Sequence, residues 1–271
     1  MRTPNRHPGR RIRTAVLGAT GTVGQRFVSL LTGHPWFELE ALAASERSAG
    51  KPYRDTVTWV QTQPLPPAVA GMPVQTCEQL LGGGYELVFS ALGTRVATAV
   101  EPEFARDCLL VTNASSYRMD AEVPLLVPEV NPDHLRLLPA PAADALLPTG
   151  MIANPNCSTI GLALALKPLA DAFGVDRVSV ITLQAVSGAG LPGISGYQIL
   201  DNVIPRIPNE EEKLEIETTK ILGRLAGGAI EPARLTVSAQ CNRVPVVDGH
   251  TPCVSAGALL GAELAVARTC R

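Results

Sequence analysis

The sequence lacks the signals of a membrane protein and of a nucleic-acid-binding protein. No apolar run approaches the roughly 20 residues that a membrane-spanning helix needs. The formal net charge is -2, and no concentrated basic stripe provides the footprint of a nucleic-acid-binding protein. Basic residues do collect near the start, but that segment lacks the apolar core of a signal peptide, and we interpret it as a frayed tail. We therefore expect a cytoplasmic protein without a membrane or nucleic-acid partner.

The sequence also lacks metal-ligand spacing. Its cysteines are scattered, so neither a zinc site nor a disulfide framework is indicated, and we expect no metal. Only four histidines are present; His7 lies in the tail, while His34 and His134 stand beside turn residues. Candidates for thiol and imidazole chemistry are therefore few. The cysteines are Cys77, Cys108, Cys157, Cys241, Cys253 and Cys270.

The composition, with 46% hydrophobic and 18% charged residues, is that of a globular protein, and 271 residues suffice for two domains. The first half opens with a β-rich run over 12–17, a glycine-rich turn over 18–24 and a helical pattern through Leu31. A second apolar run over 37–44 completes a βαβ unit. We therefore predict a Rossmann-type fold, in which a pyrophosphate approaches backbone N–H groups that no side chain blocks. The predicted cofactor contacts are Gly18, Thr20, Gly21, Thr22, Val23 and Gly24.

The glycine spacing is GxxGxxG rather than GxGxxG, and a tight strand-to-helix turn also uses glycine for structural reasons alone. Its place inside a complete βαβ unit favours cofactor binding. After the second strand, Arg47 is flanked by Ser45 and Ser48, a set that suits a 2′-phosphate, so we predict NADP. Glu46 would instead favour NAD, and a solvated turn is the structural alternative.

Two further strands are predicted at 86–90 and 109–113, and both end in polar residues. In an open parallel sheet, the carboxyl ends of the strands line the ligand crevice. We therefore expect the residues that follow these strands to lie near the cofactor or the substrate. They are Ser90, Ala91, Asn113, Ser115, Ser116 and Arg118.

The second half contains a cysteine in a setting that favours its anionic form. Pro155 disfavours helix at Asn154, and Asn156 is a good cap for a helix that begins at Cys157. Free backbone N–H groups and the positive end of the helix dipole then favour the nucleophilic thiolate. The alternative is a small buried cysteine that packs at a helix end.

A strand and a helix follow this cysteine. The strand is predicted at 177–186 and carries Gln184, which either joins the site or faces solvent. It ends in a flexible turn at Ser187 and Gly188 that suits close approach by a ligand. The helix begins at Glu210, and we expect most of its charges to be solvated.

A last strand, predicted over 235–251, carries Arg243 and His250. His250 is the best candidate among the histidines to serve Cys157 as acid and base, although a lone histidine is more often structural. A thiolate, a histidine, an arginine and a nucleotide site together indicate oxidation or reduction of an acyl group through a thioester.

Together these motifs resemble the aspartate-β-semialdehyde dehydrogenase family, in the branch typical of archaea and fungi. The resemblance extends from about residue 12 to about residue 255. Its motifs are GATGTVGQRF at 18–27, ASERSAG at 44–50, NASSYRMD at 113–120, NPNCST at 154–159, QAVSGAG at 184–190, NEEEKLEIETTKIL at 209–222 and CNRVPVVDGHT at 241–251.

The resemblance implies that NADPH reduces L-aspartyl 4-phosphate to aspartate semialdehyde and phosphate, a branch point toward lysine, threonine and methionine. It also implies that Ser187 and Gly188 join the cofactor site. The implied roles are nucleophile for Cys157, acid and base for His250, orientation of the thioester for Gln184, clamp on the substrate α-carboxylate for Arg243, contact with the substrate amino group for Glu210, and phosphate binding for Arg118 and Lys213.

The implied architecture is an α/β chain with a disordered tail at 1–11, a Rossmann-type NADP-binding domain at 12–153 and an α+β catalytic and dimerisation domain at 154–271. The implied assembly is a homodimer or a homotetramer. Beyond Val254 the sequence departs from the family pattern. We therefore expect the second domain to be truncated, with a sheet edge unpaired and apolar surface exposed.

Two alternatives stay open. Malonyl-coenzyme A reductase resembles the same branch, although Arg243 and Glu210 favour an amino acid substrate. A non-catalytic remnant that only dimerises is the alternative of another class, indicated by the abrupt tail. N-acetyl-γ-glutamyl-phosphate reductase fits less well, because its nucleophile motif and histidine context look different.

Overall fold

The computed structural model describes residues 10–258 and 263–267, and the chain divides into two compact units. Unit 1 comprises the described residues up to Ser116 together with Leu138–Ile152, and unit 2 comprises Tyr117–Leu137 and the described residues from Ala153 onward. This division differs from the predicted boundary, because the segment 117–137 packs with the second unit. Most of the predicted tail, residues 1–9, lies outside the described residues, as does Cys270.

Unit 1 contains an open six-stranded sheet. Its strand order is β3-β2-β1-β4-β5-β6, and β1 pairs in parallel with both β2 and β4. This is the strand order of dinucleotide-binding Rossmann folds, with the topological switch point between β1 and β4, so the predicted fold class is confirmed. The strands are β1 (Ile12–Leu17), β2 (Phe37–Ala43), β3 (Val74–Gln75), β4 (Leu87–Ser90), β5 (Leu109–Thr112) and β6 (Gly150–Ala153).

Helices connect these strands and pack on the sheet. The core beside β1 and β2 includes Val16, Val28 and Leu42, none of which has solvent-exposed area. The helices of unit 1 are α1 (Thr22–Leu31), α2 (Tyr53–Thr56), α3 (Pro67–Ala70), α4 (Cys77–Leu80) and α5 (Thr94–Asp107), with a 3-10 turn at Glu46–Ser48.

Two buried polar side chains anchor the glycine turn after β1. The hydroxyl of Tyr53 donates a hydrogen bond to the carbonyl of Ala19 at 2.6 Å. The Gln25 side-chain amide donates to the carbonyls of Thr20 and Thr58, at 2.9 and 3.0 Å. Tyr53 and Gln25 are fully buried, so the turn carbonyls are satisfied from inside the protein.

Unit 2 contains a mixed five-stranded sheet in the order β13-β12-β7-β11-β8. Strands β7 and β11 run parallel, and β12 runs antiparallel to β7. The elements of unit 2 are α6 (Cys157–Phe173), β7 (Val175–Gln184), α7 (Gly196–Ile199), β8 (Ile204–Pro205), α8 (Glu210–Ile221), β9 (Arg224–Ala226), β10 (Ala229–Glu231), β11 (Thr236–Arg243), β12 (Thr251–Ala258) and β13 (Glu263–Ala267), with 3-10 turns at Pro132–Leu137 and Val186–Ala189.

One face of this sheet packs against α6 and α8. Along β7 the side chains alternate, so that Val178 and Val180 are buried while Ile181 and Leu183 are exposed. Leu162 of α6 and Leu214 of α8 join the buried residues in one apolar core. The exposed face of β7 therefore carries apolar side chains.

The end of the chain differs in part from the expected unpaired edge. Strand β12 continues to Ala258, and β13 pairs with it antiparallel, with Val254 opposite Val266. β12 is therefore paired on both sides, by β7 and by β13. Within the part of the chain that the structure describes, no helix is long and apolar enough to cross a membrane.

We predict that Tyr53→Phe lowers the free energy of unfolding of unit 1 by about 1–2 kcal/mol, because it leaves the buried carbonyl of Ala19 without its donor. Urea denaturation followed by tryptophan fluorescence measures this, since both tryptophans, Trp36 and Trp59, lie in unit 1. Tyr85→Phe is the matched control, because the half-buried Tyr85 stacks under Arg13 without a hydrogen bond from its hydroxyl among the described residues. Equal effects of the two substitutions would contradict the prediction.

Candidate active site

The sheet of unit 2 brings three predicted residues to one end. In the parallel pairing of β7 with β11, Gln184 stands opposite Arg243, the last residue of each strand. Strand β12 is antiparallel to β7 and begins with Thr251 opposite Leu183, so His250 enters at this same end. Gln184 and Arg243 are 1% and 6% exposed, which excludes the solvent-facing alternative for Gln184.

Cys157 is the first residue of α6, as predicted. The side-chain oxygen of Asn156 accepts hydrogen bonds from the backbone N–H groups of Ser158 at 2.9 Å and Thr159 at 3.4 Å. Cys157 is exposed and has no disulfide partner. Cys157 is therefore not a cysteine packed inside a helix end, although neighbouring groups still withdraw its thiol partly from solvent.

Glu210, the first residue of α8, contacts both the cap and the sheet. Its Oε2 accepts from Asn156 Nδ2 at 2.7 Å and, more weakly, from Gln184 Nε2 at 3.5 Å. Its Oε1 accepts from Lys213 Nζ at 2.8 Å. This carboxylate thus links the cap residue Asn156 to two predicted site residues, Gln184 and Lys213.

The carboxylate of Glu217, two turns further along α8, binds the main chain of the cap residue Asn156. Its Oε2 accepts the backbone N–H of Asn156 at 2.6 Å, and its Oε1 accepts from Arg118 Nη1 at 2.9 Å. Both members of this ion pair are buried, at 7% exposure for Arg118 and 1% for Glu217. Glu217 therefore joins Arg118 to Asn156, the residue that precedes Cys157.

The backbone of Ala185 bonds to both His250 and Arg243. Its N–H donates to His250 Nδ1 at 3.0 Å, and its carbonyl accepts from Arg243 Nη1 at 2.7 Å. Because Nδ1 accepts, neutral His250 carries its proton on Nε2 and presents a donor there. A Cβ at Gly188 would lie 2.9 Å from Arg243 Nη1 and from His250 Cε1, so the absent side chain makes room for both.

The pKa of Cys157 shifts in the direction opposite to the predicted one. Desolvation raises the pKa of the Cys157 thiol, the Glu210 carboxylate raises it further, and backbone N–H groups and Arg118 oppose them without prevailing. The helix contribution to thiolate stability is thus present but outweighed. Cys157 is therefore a thiol, not a thiolate, near neutral pH.

The pKa values of Glu210 and His250 are also shifted, and their contacts explain both directions. Burial alone would raise the pKa of Glu210, but hydrogen bonds from Lys213 and Asn156 hold it below its usual value, so Glu210 is an anion. Partial burial lowers the pKa of His250, and the charge of Arg243 lowers it further against the opposing effect of Glu210. His250 is therefore neutral near pH 7.

The glycine turn of unit 1 fits a dinucleotide. A Cβ on Gly18, whose φ is +73°, would lie 2.6 Å from the carbonyl oxygen of Ala91, and a Cβ on Gly24 would clash with the Gly18 carbonyl. Gly21 caps α1 without a side-chain hydrogen bond, and a Cβ there would meet only the Gly18 carbonyl, at 3.5 Å. The first N–H groups of α1, at Thr22 and beyond, thus face an open approach that suits a pyrophosphate.

The other residues of unit 1 that were predicted near the cofactor differ in their exposure to solvent. Ser45 and Arg47 are exposed and Ser48 is partly exposed, so they are accessible to a ligand. Ser90 is fully buried and hydrogen-bonds to Glu101, so its side chain points away from solvent. The hydroxyls of Ser115 and Ser116 bond to the first turn of α5.

Sequence analysis did not predict three of the residues whose contacts build this site. They are Asn156 in its contacts beyond capping, Glu217 and Lys220. Most of the α8 charges were expected to be solvated, yet Glu210, Glu217 and Lys220 are all buried. Their spacing at positions 210, 213, 217 and 220 places these charges on one helical face, and that periodicity was the available signal.

We predict that Glu210→Gln makes the Cys157 thiol more reactive at neutral pH, because it removes the negative charge that raises the thiol pKa. The rate of iodoacetamide alkylation against pH, measured in a Cys253→Ala background, should shift to lower pH. Glu212→Gln is the matched control, since Glu212 is exposed on the same helix. An unchanged or upward-shifted profile for Glu210→Gln would exclude this electrostatic account.

Comparisons with known proteins support the predicted resemblance. The family models described as semialdehyde dehydrogenase, NAD binding domain, and semialdehyde dehydrogenase, dimerisation domain, match residues 13–138 and 166–268. The chain is 49% identical to aspartate-semialdehyde dehydrogenase of Methanothermobacter thermautotrophicus over 90% of its length and 70% of that protein. Its identity to the Saccharomyces cerevisiae enzyme of the same name is also 49%, over 89% of the chain and 69% of that protein.

Solved structures agree. The crystal structure of aspartate semialdehyde dehydrogenase with NADP from Candida albicans is 45% identical, with a TM-score of 0.84 over 92% of this chain and 72% of that chain. The Vibrio cholerae aspartate semialdehyde dehydrogenase II complexed with ASA is 31% identical, with a TM-score of 0.71 over 92% of this chain and 75% of that one. The chain thus belongs to the aspartate-semialdehyde dehydrogenase family.

Proposed function

We propose that this protein is an NADP-dependent oxidoreductase that reduces L-aspartyl 4-phosphate to L-aspartate 4-semialdehyde and phosphate, in the biosynthesis of lysine, threonine and methionine. The observation that carries this proposal is the exposed Cys157, held by Asn156 beside Glu210 and the sheet end that carries Gln184. Similarity to enzymes named for this activity supports the same conclusion.

The charged residues of the site suit the three charged groups of L-aspartyl 4-phosphate. Arg243 provides a buried guanidinium for the α-carboxylate, and Glu210 provides an anion for the α-ammonium group. Arg118 and Lys213 provide the cations for the phosphoryl group. We therefore assign substrate binding to these four residues.

The reaction proceeds through a covalent bond to Cys157. The Cys157 thiol loses its proton, the thiolate sulfur attacks the acyl carbon, the bond from that carbon to the phosphate oxygen breaks, and the departing phosphate carries that proton away. The thioester that results is oriented by the buried amide of Gln184. When bound, the nicotinamide supplies a hydride to the thioester carbon.

His250 was predicted to serve Cys157 as acid and base; because its neutral ring carries the proton on Nε2, we propose instead that it serves the oxygen of that carbon as a donor. Its Nε2–H donates to the oxyanion that develops there, because Nδ1 is occupied by the Ala185 N–H. Collapse of the oxyanion breaks the carbon–sulfur bond, releases the aldehyde and returns the thiolate. Proton uptake from solvent then restores the resting thiol, so the cycle consumes one proton.

We also propose a cytoplasmic homodimer or homotetramer. The match of residues 166–268 to a dimerisation domain supports self-association. The exposed apolar side chains of Ile181 and Leu183 on β7 suit a surface that a second copy covers.

Replacement of Cys157 tests the mechanism. Cys157→Ser should lower kcat about a thousandfold or more, because the hydroxyl is a far weaker nucleophile than the thiolate. The assay is NADP⁺-dependent and phosphate-dependent oxidation of aspartate semialdehyde. Cys253→Ala, at the other cysteine that is exposed among the described residues, should change kcat less than about twofold. Activity retained by Cys157→Ser, or wild-type activity with malonyl-coenzyme A alone, would overturn the proposal.

Replacement of Arg47 tests the cofactor preference. Arg47→Ala should raise the Kd of NADPH about tenfold and that of NADH less than about twofold, because only NADPH carries the 2′-phosphate. Fluorescence titration of the free protein measures both constants. Arg54→Ala is the control, since Arg54 is also exposed and pairs only loosely with Asp55, at 3.7 Å. Equal weakening of both cofactors would contradict the assignment.

A further inference from the structure

Lys220 lies buried near the end of α8, with 5% of its area exposed. Its ammonium donates to three backbone carbonyls, those of Arg118 at 2.8 Å, Asp120 at 2.6 Å and Val123 at 2.8 Å. An ammonium has three donors, so these bonds use all of them. All three acceptors belong to one segment about a hundred residues earlier in the chain, residues 118–123.

This segment has no helix or strand to set its course. Within it, Asp120 N–H bonds to the carbonyl of Tyr117 at 3.1 Å, and Glu122 N–H bonds to the Asp120 carboxylate at 2.9 Å. These are local turn contacts. Lys220 supplies a long-range anchor for the main chain of this segment, because its positive charge attracts all three carbonyls toward one point.

Arg118 is thus held twice by one helix. Lys220 binds its main-chain carbonyl, and Glu217, three residues earlier on α8, binds its guanidinium. Glu217 also binds the N–H of Asn156, which caps the nucleophile helix. The position of Arg118 relative to Cys157 therefore depends on both the main-chain anchor and the side-chain anchor.

We infer that Lys220 is a positioning residue of the phosphate site, which acts by holding segment 118–123 so that the Arg118 guanidinium meets the phosphoryl group. This inference rests on the proposed function, and it assigns Lys220 no contact with the substrate. Loss of the ammonium should weaken phosphate binding and leave the chemistry at Cys157 largely intact.

The charge state of Lys220 offers a second readout. Burial lowers its pKa to about 8, although the nearby carboxylates of Asp120 and Glu217 oppose that shift. Arg118 and His134 also face it, and both lie within the same unit. A neutral amine keeps only two donors for three carbonyls. As pH rises through about 8, the anchor should therefore weaken and the KM for phosphate should rise.

The test compares wild type with Lys220→Met in the phosphate-dependent oxidation of aspartate semialdehyde. The variant should raise the KM for phosphate about tenfold while kcat and the KM for the semialdehyde change less than about twofold. The rise of KM with pH near 8 should be present in wild type and absent in the variant. Lys167→Met is the matched control, because Lys167 pairs with Asp171 on the surface, and it should change none of these constants.

Other outcomes would overturn the inference. An unchanged KM for phosphate, or equal changes in both KM values, would mean that Lys220 has no specific role at the phosphate site. If Lys220→Met does not fold, as judged by circular dichroism, Lys220→Gln replaces it, and failure of both to fold would show a purely structural role. A wild-type chain without phosphate-dependent activity would overturn the proposed function, and this inference with it; an active wild type with an unaffected variant overturns the inference alone.

Discussion

The hydrogen bonds around Asn156 are the interaction on which the active site depends. Its backbone N–H bonds to Glu217, its side-chain N–H bonds to Glu210, and its side-chain oxygen receives the first N–H groups of α6. Its carbonyl accepts the N–H of Ile160 and so begins the helix ladder. Every polar group of Asn156 is thus used, and the direction in which Cys157 leaves the cap follows from that geometry.

Helix α8 supplies the partners because its charged residues repeat on one face. Glu210 and Glu217 hold the cap, Lys213 neutralises the first of them, and Lys220 anchors the segment that brings Arg118 to the second. The carboxylates on the neighbouring face serve the sheet instead, since Glu211 accepts the N–H of Cys241. One helix therefore sets the relation between the cap before Cys157, the side chain of Arg118 and strand β11.

Local patterns in the sequence predicted most of what is local in the structure. The strand at 12–17, the glycine turn and the start of a helix at Cys157 depend on adjacent residues, and each was predicted at its observed place. The pairing of β7 with β11 joins residues far apart in sequence, so the register that sets Gln184 opposite Arg243 has no local signal. Burial of Glu217 was missed for a related reason: a charged helix residue is usually solvated, and only tertiary contact reveals its partner.

Glu210 has two opposing effects on Cys157 that the sequence could not predict. The carboxylate of Glu210 holds the cap that positions Cys157, yet its negative charge raises the pKa of the same thiol. The two effects need not act at the same time. In the role proposed for Glu210, a substrate ammonium bound there would offset that charge. Burial and Glu210 together keep the Cys157 sulfur protonated in the free protein, and in the proposed reaction the substrate itself would favour the thiolate.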